Sequence, residues 1–233
     1  MPASLPKYYR VRTELDEMLA TLAVGDAVPP ERSLSERFGV ARATVRQALQ
    51  ELLVEGRIER RGRGTVVAAP KLVQPLSLQS YTEGAKQHGR VPSRELVTFE
   101  RIVGDEQLCA DLDIADGSSV LHLERVLLAD GEKLGLESTY LPADRFGHFL
   151  HDFDPGTSLY AAIRAERVSF AVAEERIETV LASPREAALM ETTTAMPMLL
   201  LNRRSLDTDG RPIERVRSLY RGDRMAFRAI LRE

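Results

Sequence analysis

Residues 31–65 constrain this chain more than any other stretch. They read ERSLSERFGVARATVRQALQELLVEGRIERRGRGT. A short segment with apolar Leu34 and Phe38 stops at Gly39, where a left-handed cap ends a helix. The next segment places Val45, Ala48, Leu49 and Leu52 at the i, i+3, i+4, i+7 spacing of one buried helix face. Its opposite face carries Arg42 and Arg46, one helical turn apart, with Ala43, Gln47 and Gln50 beside them. Two short helices around a Gly-containing turn predict a helix-turn-helix whose second helix enters a DNA major groove. Gly56 caps that helix. Ile58–Val67 then reads as a hairpin with a basic, Gly-rich tip, which completes a winged helix.

Net charge is −3 over 233 residues, which by itself argues against a nucleic-acid partner. The distribution reverses that conclusion. Residues 1–70 hold 11 Lys/Arg against 9 Asp/Glu, residues 71–233 hold 21 against 26, and residues 32–63 hold eight Arg against four Glu. Phosphate attraction is set by charge within a Debye length of roughly 8–10 Å, so the local excess matters and the whole-chain sum does not. The single cysteine, Cys109, excludes an internal disulfide and a multi-Cys metal site, fits a reducing cytosol, and sits in an apolar pattern that predicts packing. No apolar run is long enough to span a membrane, and MPASLPKYYR lacks the apolar core of a signal peptide. A cytoplasmic location is expected.

Chain length suits two domains. Lys7–Leu22 carries apolar residues at helical spacing and predicts a first helix under the helix-turn-helix; Pro30 is tolerated where the next helix begins. The expected division is a DNA-binding domain over 1–69, a linker over 70–80 leading into the first strand, and an effector-binding and dimerisation domain over 81–233. In that second part, Leu96–Val103, Val120–Leu128, Leu134–Leu141, Phe170–Leu181, Met198–Leu206, Ile213–Tyr220 and Ala226–Leu231 read as strands. Asp130-Gly131 and Asp209-Gly210 mark hairpins. Asp105–Leu112, Ser158–Arg164 and a segment capped by Ser183 read as helices. Hairpin-joined strands with intervening helices predict an antiparallel sheet with packed helices, so the fold class is α+β.

Pro29–Arg32, Arg42-x-Thr44-Val45-Arg46-Gln47-Ala48-Leu49, Glu55-Gly56-x-Ile58 and Arg61-Gly62-Arg63-Gly64-Thr65 resemble the N-terminal domain of GntR-family bacterial transcription regulators. One departure is visible: the family's Ser or Thr before Arg42 is Ala41 here, which removes a hydroxyl able to cap the helix or donate to a phosphate. From about Pro70 to Arg232, Ser80-Tyr81-Thr82-Glu83, Leu123-Glu124-Arg125, Glu137-Ser138-x-Tyr140-Leu141-Pro142, Thr157-Ser158-Leu159-Tyr160 and Ser218-x-Tyr220-Arg221-Gly222-Asp223-Arg224 resemble the effector domain of the HutC-type branch. The resemblance implies a chorismate-lyase-like fold, a UTRA-type sensor of phosphorylated amino sugars, dimer contacts through the sensor domain, and repression at palindromic operators.

Candidate DNA contacts are Arg42 and Arg46, whose guanidinium groups match the O6/N7 edge of guanine. Thr44 and Gln47 are candidates for phosphate or base contact, Gly62 for close backbone approach and Arg63 for the minor groove. Arg32 joins them through the resemblance. Arg60 and Arg61 suit either contact or solubility. For an effector, a phosphate calls for Arg125, Ser80, Thr82 and Ser158. Sugar hydroxyls call for Glu137, Glu214, Tyr81, Tyr160 and Tyr220, although Tyr160 and Tyr220 equally suit core packing.

The amino-sugar sensors carry a second Arg two residues after the first, and here that position is Leu127. Either another cation, Arg203 or Arg217, compensates, or the effector is not a phosphosugar. His148-x-x-His151 lacks further ligands, so no metal and no cofactor are expected. No nucleophile motif stands out, leaving a lyase-like enzyme built around Glu137 and Arg125 as a remote alternative. Expected partners are double-stranded operator DNA, a small-molecule effector and a second copy of the chain, with no membrane.

Overall fold

The structure, a computed structural model, describes residues 6–231. Residues 1–5 of the stretch read for a signal peptide, and residues 232–233, lie outside them. The chain forms two compact units. The first runs to Lys71 and takes in Gly222–Arg224; the second comprises Leu72–Arg221 and the residues from Met225 onward.

The first unit holds α1 (Lys7–Leu19), α2 (Glu31–Phe38), α3 (Arg42–Val54), β1 (Ile58–Arg61) and β2 (Gly64–Val67). Helix α1 ends three residues before the expected Leu22 because the Thr21 hydroxyl and N–H both bond to the Met18 carbonyl, at 2.7 and 3.1 Å, tightening the last turn. Gly39 closes α2 at φ 63°, a left-handed conformation that costs a residue with Cβ about 1–2 kcal/mol. Val45, Ala48, Leu49 and Leu52 of α3 are buried with Val11, Leu15, Leu19 and Leu34 in one apolar cluster. Each large side chain there contributes roughly 1.5–3 kcal/mol of burial, so Leu52→Ala would cost about 2–5 kcal/mol. Strands β1 and β2 pair antiparallel with Arg61 opposite Gly64, which forms the wing. Gly56 stands at φ 72°, and a Cβ there would lie 1.9 Å from the Asp223 carbonyl oxygen. Arg224 donates to Glu59 at 2.6 Å.

In the second unit six strands form one antiparallel sheet in the order β4 (Pro92–Val103), β5 (Ser119–Ala129), β6 (Glu132–Pro142), β9 (Pro212–Arg221), β8 (Pro197–Asp207) and β7 (Phe170–Leu181). One sheet face packs Val126, Leu128, Leu136 and Leu219 against Ala187 and Met190, the latter pair from α9 (Pro184–Leu189) and its C-cap. The other face packs Leu121, Leu123 and Leu141 under α6 (Ala143–Phe146), α7 (Phe149–Asp152) and α8 (Leu159–Ala165). It also packs Leu127 and Tyr220 with Tyr81 and Ala85 of α4 (Tyr81–Gln87). Cys109 is buried on α5 (Glu106–Leu112).

The structure adds detail at two places. The stretch read as a short, partly extended linker over 70–80 contains β3 (Leu72–Pro75), whose Pro75 stands at its end, where a missing N–H is tolerated. The closing strand, expected over Ala226–Leu231 within the antiparallel sheet, is β10 (Met225–Arg228), and it pairs parallel with β3 as a separate two-stranded sheet. An apolar pattern fixes which face a strand buries but not which partner it takes.

Candidate nucleic-acid interface and ligand pocket

Burial of one face of α3 forces the other outward, and Arg42, Arg46 and Gln47 are exposed there, with Thr44 half-buried. Ala41 is the N-cap in extended conformation and makes no side-chain cap bond, so the hydroxyl expected from the family pattern has no replacement at that position. Arg46 donates to Glu31 at 2.9 Å, which holds the Glu31 carboxyl below its ordinary range. Arg32 on α2 pairs with Glu36 at 3.0 Å and is largely exposed. Arg42, and Arg63 in the wing tip beside Gly62, form no ion pair among the described residues. Arg60 reaches across the wing to Thr65 at 2.8 Å and Arg61 pairs with Glu59 at 3.0 Å, so both have local partners. Exposed pairs of this kind are worth at most about 1 kcal/mol, so a phosphate or a guanine edge can displace them.

The pocket is assembled by sheet register. Directly opposed residues of antiparallel strands share a face. One row across the sheet runs Arg94, Leu127, Gly135, Tyr220 and Leu199; the next runs Leu96, Arg125, Glu137, Ser218 and Leu201; a third runs Thr139, Val216, Arg203 and Glu175. Arg94, Arg125, Glu137, Glu175, Arg203, Ser218 and Tyr220 line a cavity of about 60 Å³. Gly135 leaves room for the Tyr220 ring, since a Cβ there would lie 2.7 Å from it. Ser80, Tyr81, Ser158 and Tyr160 close the cavity from the starts of α4 and α8.

Hydrogen bonding separates the expected contacts into groups. Arg125 is 2% exposed and donates to Glu137 at 2.7 Å, to the Thr157 carbonyl at 3.0 Å and to the Pro155 carbonyl at 3.3 Å. Ser80 and Ser158 line the cavity while capping α4 and α8. Tyr160 donates to Glu214 and accepts from Arg203 at 3.2 Å, and burial raises the pKa of its hydroxyl. Tyr220 lies in the cavity wall with its pKa also raised by burial.

Two of the expected contacts do not line the cavity. Glu214 does not line the cavity: it is fully buried behind Tyr160, bonded by Ser205 at 2.9 Å, and burial pushes its pKa up to about 7. Thr82 also stands back from the cavity, accepting a hydrogen bond from Arg94. Of the two cations considered as substitutes at Leu127, Arg203 lines the pocket but is held by Glu175 at 3.1 Å and by the Ser77 carbonyl, while Arg217 is paired with Glu186 at 2.8 Å, away from it.

Arg94 escaped the sequence reading. Its signal was a pairing register, Arg94 opposite Leu127, which no local pattern reveals. His148 lies 3.5 Å from Glu166, and among the described residues no group of three or more His, Cys, Asp or Glu is placed to hold a metal. No helix among them is long and apolar enough to cross a membrane.

Comparison with known proteins agrees with this arrangement. Residues 7–67 match the bacterial regulatory proteins of the gntR family and residues 87–226 match the UTRA domain. The chain is 51% identical over 225 residues to the HTH-type transcriptional repressor PhnF of Mycolicibacterium smegmatis, covering 97% of this chain and 92% of that protein. It is 34% identical over 228 residues to the HTH-type transcriptional repressor NagR of Bacillus subtilis, covering 96% and 93%. The crystal structure of PhnF from Mycobacterium smegmatis superposes with a TM-score of 0.71 over 95% of this chain and 99% of that one, at 51% identity. These relatives are named as repressors, and the chain is a regulator, not the lyase-like enzyme considered as an alternative. A winged helix with a basic reading face and a helix-covered antiparallel sheet, matched over both halves, place this chain in the gntR family of bacterial regulators, HutC type, with a UTRA domain as its second part.

Proposed function

We propose that this protein is a cytoplasmic, ligand-responsive repressor that binds a palindromic operator as a homodimer. The observation that carries the reading is the exposed Arg42–Arg46 face of α3, opposite a fully buried one. Arg42 and Arg46 read guanine edges, Gln47 and Thr44 contact bases or phosphates, and Arg32, Gly62 and Arg63 contact the backbone or minor groove. Apolar Val172, Ile177 and Leu181, exposed on the sheet's edge strand β7, support self-association. The effector is a small phosphorylated metabolite held in the Arg125 pocket, in the first reading glucosamine 6-phosphate or N-acetylglucosamine 6-phosphate, with Ser80, Tyr81, Glu137, Ser158, Tyr160 and Tyr220 around it. Similarity to NagR and PhnF, both named as repressors, supports the regulatory part of this reading.

Ligand in the sensor domain favours a dimer geometry whose two heads no longer match half-sites about one helical turn apart. By linkage, operator DNA then weakens ligand binding by the same factor. Selection from a random DNA library, followed by titration of the selected duplex with and without glucosamine 6-phosphate, tests both parts. An inverted repeat released by the ligand is expected. Selection of no inverted repeat, or a ligand affinity unchanged by operator, would overturn the mechanism.

A second reading, in which the effector is not a phosphosugar, is favoured by Leu127, fully buried at the position where the family resemblance implies a second clamp arginine.

A further inference from the structure

The pocket presents three arginines, and two are already engaged. Arg125 is held by Glu137 and two backbone carbonyls, and Arg203 by Glu175, Tyr160 and the Ser77 carbonyl. Arg94 differs. Its one hydrogen bond among the described residues goes to Thr82, its guanidinium stands 5.8 Å from the Tyr81 ring centre, and its Nε, like that of Arg125, is buried without a partner. Among the described residues no carboxylate forms an ion pair with it, although the Glu137 charge acts on it. Burial and, after it, the neighbouring Arg125 charge lower its pKa, and the Glu137 charge offsets them only in part. The buried Tyr81 hydroxyl, a second donor in the cavity wall, also lacks a partner. Buried donors left unsatisfied cost about 1–3 kcal/mol each, and a site that retains them is prepared for an acceptor.

The position explains what an isolated reading of β5 could not. Leu127 stands where a second clamp arginine was expected, and it is fully buried. Its directly opposed residue on β4 is Arg94, on the same face. We propose that Arg94 is the principal ligand-binding cation of this pocket, supplied from β4 in place of Leu127, and that the group it takes is a tetrahedral oxyanion, a phosphate or phosphonate. This rests on the effector reading above. A guanidinium accommodates two such oxygens through parallel N–H donors, while Arg125 and Arg203 position Glu137, the Thr157 carbonyl and Tyr160 around the rest of the ligand.

The test is isothermal titration of the full chain and its R94M and R94K variants with inorganic phosphate, methylphosphonate, glucosamine 6-phosphate and unphosphorylated glucosamine. Wild type is expected to bind at least one phosphorylated or phosphonate ligand and not glucosamine. Free phosphate or methylphosphonate as the tighter ligand identifies a small-oxyanion sensor; glucosamine 6-phosphate as the tighter one identifies a phosphosugar sensor. R94M should weaken that ligand by about 10–100-fold and R94K by less, as removal of a charge-assisted bond predicts. Ligand-free R94M should melt no lower than wild type, because a half-buried charge with no ion pair among the described residues has been removed. Unchanged affinity in R94M, or a lowered ligand-free melting temperature with affinity intact, would make Arg94 structural and overturn the assignment while leaving the effector reading in place. Wild type that binds none of the anions would overturn both.

Discussion

The Arg46 side chain in the winged helix is 66% exposed beside a Glu31 side chain that is 26% exposed, whereas the Arg125 side chain in the sheet is 3% exposed beside a Glu137 side chain that is 16% exposed. The two pairs have nearly equal N–O distances, 2.9 and 2.7 Å, yet they have different uses. The exposed pair is screened by water and salt, so it holds the guanidinium loosely and yields it to a stronger acceptor. The buried pair has lost its solvation, and its removal leaves the partner charge stranded. An arginine that must bind a large external polyanion belongs in the first situation. One that must keep a pocket in shape belongs in the second, and Arg94, half-buried and without an ion pair among the described residues, belongs to neither.

The sharpest way to break this contrast is R125M. Stranding Glu137 and two carbonyls should destabilise the sheet unit by about 3–5 kcal/mol, a fall of roughly 10 °C in its melting, read by scanning calorimetry. A melting point near wild type would show Arg125 to be as dispensable to the fold as a surface arginine. Next in size is a pH effect. Glu214 has its pKa raised to about 7 in the folded state, against 4.5 ordinarily. Between those values the folded chain binds the extra proton, so its stability is greatest below the lower value and falls as pH rises to about 7. E214Q should flatten the melting profile across that window, and a profile identical to wild type would reject the shift. R42A and R46A should each lower operator affinity about 10–100-fold at fixed salt, with melting unmoved, as mobility shift and thermal scans would report. Melting that fell with affinity would erase the distinction between the two kinds of arginine. The smallest effect belongs to R63A, which should reduce the slope of log affinity against log salt by about 1 if the wing tip meets one phosphate. An unchanged slope would place the tip off the DNA.

The DNA-reading unit was legible because its signals are local. Gly39 and Gly56 mark helix ends, and the spacing of Val45, Ala48, Leu49 and Leu52 selects one buried face. The strands of the sheet were equally legible, and the Asp130-Gly131 and Asp209-Gly210 turns tied neighbours together. What failed was non-local. The pairing of β10 with β3, the removal of Glu214 behind Tyr160 and the placing of Arg94 opposite Leu127 each depend on a partner far away in sequence. Arg125 and Tyr160 were recognisable as pocket residues, but their bonds to Glu137, the Thr157 carbonyl and Glu214 followed only from the assembled sheet.

The pairing of β3 with β10 sets an order of events during synthesis. Met225 lies beside Leu72 and Arg228 beside Pro75, so this small sheet cannot exist until residue 228 has left the ribosome. Helix α3 and the wing close on themselves by residue 67, through contacts between near neighbours that form quickly. The helix-turn-helix and wing are therefore free to form early, while Gly222–Arg224, which belongs to the same unit, joins them only late in synthesis. A chain cut short before residue 222 would carry the helix-turn-helix and wing without the segment that packs on Gly56 and Glu59.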